Sequence, residues 1–293
     1  MTEKKKAPAR TRGTGATSKK AAATKELVAV QEESAAQELK RPHVHKWPEI
    51  SVVIPFRKDK AEGDELLYAV RAWAKNFPQA KIVVIGDALP WFSKEIIHIS
   101  FEDSSDNAQV NTTGKIMAAI ASADVTEQFL LSCDDIYPVT PLDGADFLIL
   151  RANATPLKER RTKGGHYQKN LERTVKALNK AGIVNPHDYD THTPYFFDKE
   201  VLADVIAFYD CAGEDAKLLP SLYFNSCYPH IIPLKLDPVR GQYVGRVVNT
   251  TGNDGALSKA FEERKYINHD HGCYKRCEPF LKAKFFEKSR FEK

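Results

Sequence analysis

Two adjacent acidic residues, Asp134 and Asp135, directly follow an apolar segment and are the strongest candidates for chemistry in this sequence. Neighbouring carboxylates repel each other, and they are costly to hold near a buried strand end unless a cation or a hydrogen-bond donor compensates them. Mg²⁺ and Mn²⁺ prefer oxygen ligands and bind one or two protein carboxylates while keeping positions for water and substrate phosphate. The alternative is a turn in which the aspartates cap backbone amides. The position after a buried strand favours the metal site.

The elements that must position this pair follow from the pattern of apolar residues. Helical spacing predicts a helix after Asp64 and another after Asn111, Thr112 and Thr113, which are good helix caps. Four short apolar segments predict strands, at residues 50–56, 81–86, 95–100 and 128–133. This β-α-β succession predicts an α/β fold, with a mostly parallel central sheet and helices on both of its faces.

Charged residues follow three of the predicted strands at the point where each strand ends. Arg57 and Lys58 follow the first strand, Asp87 follows the second, and the aspartate pair follows the fourth. Ligands of such sheets bind outside the carboxyl ends of the strands. We therefore expect these basic and acidic groups to meet at one edge and to form the site.

Several segments occur in the order typical of a known family. They are the segment 64–71, the strand ending at Asp87 with Pro90 and Trp91 behind it, the helix of Asn111, and the segment 130–137. Together they resemble the core of the GT-A nucleotide-sugar transferases, and more narrowly the stealth family of sugar-1-phosphate transferases. Residues 191–202, 266–270 and 280–291 are similar to later regions of the stealth family.

The resemblance implies a GT-A-like fold, a nucleotide-diphosphate sugar as donor and Mg²⁺ or Mn²⁺ as cofactor. In it the aspartate pair corresponds to the metal ligands, His192 to the base for an acceptor hydroxyl, and Arg71 to the family's helix arginine. The expected catalytic residues are His192, Asp135 and Arg71, and the expected donor-binding residues are Arg57, Lys58, Asp87, Asn111, Asp134 and Asn268, with Arg240 and Arg246 as further candidates to balance phosphate charge.

The predicted activity is transfer of a sugar, or of a sugar-1-phosphate, from the donor to a hydroxyl of a carbohydrate or another acceptor. The alternative is a nucleic-acid-binding or scaffolding protein, or a transferase that acts on modified DNA. That alternative rests on basic segments, the first 25 residues and the loop 160–166, and it leaves the aspartate pair without a purpose.

The net charge of +4 is unevenly distributed over the 293 residues, because residues 1–25 carry +7 and the remainder carries −3. Residues 1–25 have almost no large apolar side chains, and residues 1–46 are expected to form a disordered basic arm that contacts polyanions, ahead of a GT-A-like catalytic domain at 47–293. Apolar runs of only a few residues exclude a transmembrane segment. Five scattered cysteines and the lack of a secretory signal favour the cytoplasm.

A competing set of metal ligands lies near the end of the chain. His269, His271, Cys273 and Cys277 are zinc-type ligands within nine residues. Structural zinc sites usually combine two ligand pairs that are separated by a longer loop. The crowding of these four residues therefore argues against a zinc finger.

Overall fold

The largest sheet contains five strands in the order β3-β2-β1-β4-β7, and β1 lies at its centre. The computed structural model describes residues 49–162, 164–236, 245–248 and 254–293, without the side chains of 245–248, 254 and 256. The predicted basic arm at 1–46 lies outside the described residues. The strands are β1 Ile50–Phe56, β2 Ala80–Gly86, β3 Ile97–Ser100, β4 Gln128–Leu131, β5 Tyr137–Pro138, β6 Arg151–Asn153, β7 Tyr195–Asp198, β8 Leu234–Leu236, β9 Gly245–Val248 and β10 Tyr266–His269.

Eight α-helices connect or flank these strands in the described part of the chain. Their lengths range from four residues to sixteen. They are α1 Glu65–Asn76, α2 Ala108–Ala121, α3 Ala145–Leu148, α4 Gly165–Lys180, α5 Lys199–Phe208, α6 Leu219–Cys227, α7 Asp254–Glu263 and α8 Tyr274–Lys284.

The central sheet is buried on both faces. Alternate side chains of β1 point to opposite sides, so that Val53 joins one apolar cluster and Val52 and Ile54 join another. Helices α2, α4, α5 and α6 contribute to the first cluster, and α1 packs Trp73 into the second. The predicted α/β class, with a mostly parallel sheet and helices on both faces, is confirmed.

Strand direction decides which loops meet at the sheet edge. β1 pairs in parallel with β2 and β4, and β2 pairs in parallel with β3. β7 runs antiparallel to β4, with Leu131 opposite Tyr195. The carboxyl ends of β1 to β4 therefore share one edge with the residues that precede β7.

A three-stranded sheet brings a distant segment to the same edge. β10 pairs antiparallel with β5, with Ile267 opposite Tyr137, and parallel with β9. Since β5 follows the aspartate pair by only one residue, Asn268 and His269 extend from this pairing toward the pair. Among the described residues, no helix is long and apolar enough to cross a membrane.

The start of the second long helix differs from the prediction. α2 begins at Ala108, and the Asn107 side chain accepts a hydrogen bond from the Gln109 amide. Asn111 therefore lies inside the helix and does not cap it. The earlier start is stabilised because Asn107 satisfies one of the free amides of the first turn.

We predict that Gly86→Ala strongly destabilises the fold. Gly86 has φ +127°, and a Cβ atom there would lie 2.0 Å from the Phe56 carbonyl oxygen, so that β1 and β2 would have to separate where both end. The free energy of unfolding in urea should fall by about 2–4 kcal/mol. Gly213→Ala is the control, because its Cβ meets nothing within 4 Å. Equal stabilities of the two variants would contradict this role of Gly86.

Candidate functional site

A cleft runs along the edge where the parallel strands end. The loops after β1, β2 and β3 line a cavity of about 610 Å³ that includes Lys58 and Asp87. A neighbouring cavity of about 260 Å³ reaches Asn111 and Asp134. The two cavities share Phe56, Arg57, Asp103 and Lys115. The structure thus brings five of the expected site residues together, namely Arg57, Lys58, Asp87, Asn111 and Asp134.

A buried lysine forms the floor of this cleft. Lys115 on α2 donates to the Phe56 carbonyl oxygen at 3.0 Å and forms an ion pair with Asp103 at 2.8 Å. Its side chain is only 5% exposed, so its charge is poorly screened by water. A fixed positive charge therefore lies beneath the shared part of the two cavities.

Hydrogen bonds hold the loop after β1 at the rim of the cleft. The Arg57 guanidinium forms two bonds with the Asp59 carboxylate, at 2.6 and 2.9 Å, and approaches Asp103 at 3.5 Å. The Asp87 carboxylate accepts a bond from the Lys58 amide at 2.7 Å. Asp87 thus orders the loop that carries two cationic side chains.

The aspartate pair lies half-buried at the end of β4. Burial, together with the negative charges of Asp135 and Glu65, raises the pKa of Asp134 to about 8. Burial also raises the pKa of Asp135, although the nearby His269 and His192 act in the opposite direction. Neither carboxylate forms an ion pair with a lysine or arginine in the described part of the chain. The pair therefore lacks a lysine or arginine partner among these residues, and without a cation its burial favours the protonated carboxyl groups.

Further ligand atoms adjoin Asp135. Glu62, Glu65 and His269 bring one ligand atom each within 4.8 Å of one another, the one such group among the described residues. The Glu62 carboxylate accepts bonds from the Gly272 and Tyr274 amides and is therefore already engaged. Glu65 Oε1 lies 3.4 Å from His269 Nε2, and its other oxygen accepts from the Glu62 amide. Neither Asp134 nor Asp135 belongs to this group, although the charge of His269 lowers the pKa of Asp135, and His269 Nε2 also lies 3.1 Å from the Tyr137 hydroxyl.

Among the described residues, the ligand atoms that meet closely enough for one cation are those of Glu62, Glu65 and His269. Carboxylate oxygens with one imidazole nitrogen suit Mg²⁺ and especially Mn²⁺. A bound cation would offset the burial, and the smaller effect of nearby like charges, that raise the pKa of the two aspartates and of Glu65. Asn268, buried beside His269, has a side-chain nitrogen without a hydrogen-bond partner in the described structure, so it also remains free to bind a ligand.

The predicted base occupies an unusual backbone conformation. His192 is exposed and has φ +49°, one of two positive values at non-glycine residues of the described chain. The left-handed region is costly for most side chains and is frequent at functional sites. His192 is close enough to Asp135 for its charge to lower the pKa of that carboxyl. The structure therefore places an accessible imidazole beside the aspartate pair.

Some expected site residues have other contacts. Arg71 binds the Glu292 carboxylate at 2.6 and 2.9 Å and the Phe285 carbonyl oxygen at 3.0 Å, and it lines a different cavity. The structure does not bring Arg71 to the aspartates, because it lies nearly two turns further along α1 than Glu65. The Asn111 carboxamide is bound to the backbone of the loop at 104–105, although it borders the cleft. Arg240 and the Arg246 side chain lie outside the described residues.

The four zinc-type ligands near the end of the chain are not brought together. His271 is exposed and contacts Glu62 at 2.8 Å, whereas Cys273 and Cys277 are buried in and beside α8. No three of these four side chains meet in the part of the chain that the structure describes. His269 turns instead toward Glu65 and Tyr137.

Three residues of the site were missed by sequence reasoning. Lys115 and Glu65 lie at positions that the helical pattern assigns to surface or cap, and Asp103 lies in a loop without a motif. The sequence offered one indication of Lys115: its helix, α2, follows β3, whose carboxyl end lies at the edge of the sheet where ligands bind. The charges of Lys115 and Glu65 become informative only when their burial is known.

Comparisons with known proteins give resemblance in structure alone. No protein-family model matches the chain, and no curated protein matches it. Similar solved structures include the galactosyltransferase LgtC in complex with donor and acceptor sugar analogs, at 9% identity and a TM-score of 0.44 over 82% of this chain and 98% of that one. An active-site mutant of LgtC has 9% identity and a TM-score of 0.43, with the same coverage of both chains. A glycosyltransferase involved in glycosylation of the major capsid of PBCV-1 gives 14% identity and 0.40, over 80% of this chain and 100% of that one. Likeness at this level does not extend to activity.

We predict that Asp134→Asn stabilises the metal-free protein at alkaline pH. The folded chain keeps the Asp134 proton up to about pH 8, whereas the unfolded chain releases it near its ordinary value of 3.8. Stability of the natural chain should therefore fall as pH rises between these values. In urea unfolding with EDTA present, the free energy of unfolding of the variant should exceed that of the natural chain by roughly 2 kcal/mol near pH 8.5 and by little near pH 4.5. Asp204→Asn, at an exposed position, is the control. If Asp134→Asn were less stable than the natural chain near pH 8.5, the Asp134 carboxylate would be a structural cap.

Proposed function

We propose that this protein transfers a sugar from a nucleotide-diphosphate sugar to an acceptor hydroxyl, with a divalent cation bound at Asp134 and Asp135. The observation that carries the proposal is the uncompensated pair at the end of β4, next to a cleft with cationic side chains. A cation at the pair and a diphosphate in the cleft would balance both charges at once.

The cleft has the size for the donor and offers cationic side chains, with Asp59, Asp87, Glu102 and Asp103 beside them. Arg57, Lys58 and Lys115 offer cationic groups at its wall and floor, and phosphate oxygens are bound well by guanidinium and ammonium groups. The cavities of about 610 and 260 Å³ are in the range of small-molecule sites. We assign the donor's nucleotide to the larger cavity and its diphosphate to the side that adjoins Asp134.

Asp134 and Asp135 would hold the cation, with Glu65 and His269 as the adjacent ligands. When bound, a divalent cation neutralises charge that develops on a diphosphate leaving group. In this proposal His269 is a ligand of the cation. The sequence analysis had instead assigned its neighbour, Asn268, to binding of the donor. The residues that stabilise the leaving group without the cation are Lys115 and Arg57.

The transfer itself requires one bond exchange. The acceptor oxygen forms a bond to the anomeric carbon while the bond between that carbon and the diphosphate oxygen breaks. The hydroxyl proton moves to an imidazole nitrogen of His192, and the nucleoside diphosphate leaves. His192 suits this step because it is exposed and near Asp135, the neighbour of the cleft residue Asp134.

Sugar-1-phosphate transfer is the alternative that the stealth resemblance implies. In that reaction the acceptor oxygen attacks the distal phosphorus, the bond between the two phosphates breaks, and a nucleoside monophosphate leaves. The same residues serve both reactions, so the nucleotide product separates them. We propose glycosyl transfer first and keep sugar-1-phosphate transfer as the second candidate, which release of a nucleoside monophosphate would identify.

One prediction of this proposal concerns the cation. In a screen of nucleotide-sugar donors with Mn²⁺ or Mg²⁺, the natural chain should release a free nucleotide, and EDTA should abolish the release. Asp135→Asn preserves shape and removes one charge, so it should reduce turnover by about 10²-fold or more. The exposed Asp204→Asn should retain the natural rate. Full turnover by Asp135→Asn, or no donor turnover at all, would contradict the proposal.

The second prediction concerns the base. His192→Asn removes the imidazole but keeps a residue that tolerates positive φ, so the loop should retain its conformation. The kcat for acceptor transfer should fall by about 10²–10⁴-fold, while the KM for the donor should change little. The exposed His230→Asn is the matched control. A kcat close to that of the natural chain would assign His192 a structural role.

A further inference from the structure

Another cavity, of about 300 Å³, is lined by five cationic side chains. It lies between the later part of α1 and the segment that follows α8. Glu287, which is exposed, is its one acidic lining residue in the described structure. The cationic lining residues are Arg71, Lys75, Lys284, Lys288 and Arg290.

This cavity is separate from the donor cleft. Glu65 at the start of α1 adjoins the aspartate pair, and Lys75 lies ten residues further along the same helix. At 1.5 Å per residue, the two positions are about 15 Å apart along the helix axis. Arg290 donates to the Ala80 carbonyl oxygen, where β2 begins, at the end of that strand away from the ligand edge.

The cationic head groups are already held in place. Lys75 Nζ donates to the Lys284 carbonyl oxygen at 3.1 Å, and Lys284 Nζ donates to the Phe261 carbonyl oxygen at 2.9 Å. Lys288 Nζ donates to a main-chain oxygen of Lys293 at 3.1 Å. Each ammonium group has three N–H donors, so donors remain for a ligand. Little side-chain entropy would be lost on binding, because these groups are ordered beforehand.

Carboxylates do not neutralise Lys75 or Lys284. Glu292 is bound by Arg71 and by the amide and hydroxyl of Ser289, so its oxygens are fully used. Lys75 and Lys284 form no ion pair to a carboxylate among the described residues, whereas Lys288 binds an oxygen of the terminal residue Lys293 and Arg290 pairs with Glu95. Burial and then the charge of Lys75 lower the pKa of Lys284, which Glu262 only partly offsets. Lys75 and Lys284 therefore carry positive charge that an anion in the cavity would balance.

We propose that this cavity binds the phosphate group of a small molecule, as free phosphate or as a phosphate monoester. A tetrahedral oxyanion can accept bonds from several ammonium groups at once, and such charge-assisted bonds are strong. The ligand would join α1 to the C-terminal segment and so stabilise the fold. The inference is independent of the reaction proposed for the donor cleft.

The test is a calorimetric titration of the full chain, in EDTA and at constant ionic strength, with inorganic phosphate and separately with a hexose 1-phosphate. Saturable binding is expected, and the tighter ligand identifies the source of the phosphate. Lys75→Gln with Lys284→Gln should weaken binding by about tenfold or more, and Lys288→Gln alone by a few fold. Lys288 is exposed, so its replacement should leave the fold intact.

Two controls locate the bound phosphate. Lys58→Gln in the donor cleft should leave the affinity unchanged, and urea unfolding should show that each variant is folded before titration. Absence of saturable binding by both phosphates would overturn the proposal. The proposal would also be overturned if Lys58→Gln lost phosphate binding while the double variant, Lys75→Gln with Lys284→Gln, retained it. The phosphate would then occupy the donor cleft.

Discussion

The parallel hydrogen bonding of β1 to both of its neighbours is the constraint on which the site depends. Because β2 and β4 run in the direction of β1, Arg57, Asp87 and the residues after β4 emerge at one edge. β7 has the opposite direction, so the loop before it, with His192, reaches the same edge from the other side. Gly86 permits the close approach at which β1 and β2 end.

Charge is distributed along this edge in two complementary parts. On one side Lys115 and Arg57 share Asp103, and Arg57 also pairs with Asp59, so these cationic groups already have carboxylate partners. On the other side the aspartate pair and Glu65 have raised pKa values because they are buried among like charges. Holding such groups costs stability, and proteins retain that cost mainly where binding or catalysis requires it. An anionic donor with a divalent cation would satisfy both parts.

Helix α1 connects this edge with a second charged region. Its first residue, Glu65, adjoins the aspartates, and its later turns hold Arg71 and Lys75 against the C-terminal segment. Arg71 thus fixes the C-terminal segment through Glu292, a structural contact at a position that the sequence resemblance associated with catalysis. The two regions differ in sign, since the first gathers acids and the second gathers cations.

The sequence alone determined the α/β class, the parallel strands and the identity of the groups at their carboxyl ends, because apolar runs and strand order are local patterns. It could not determine the roles of Lys115 and Glu65, whose chemistry depends on burial among distant residues. Nor could it place His269 beside Asp135, since that contact requires β10 to pair with β5 across more than a hundred residues. Arg71 shows the same limit, because a helical position does not reveal which neighbour the side chain will meet. Only tertiary packing decides which charges meet and which stay uncompensated.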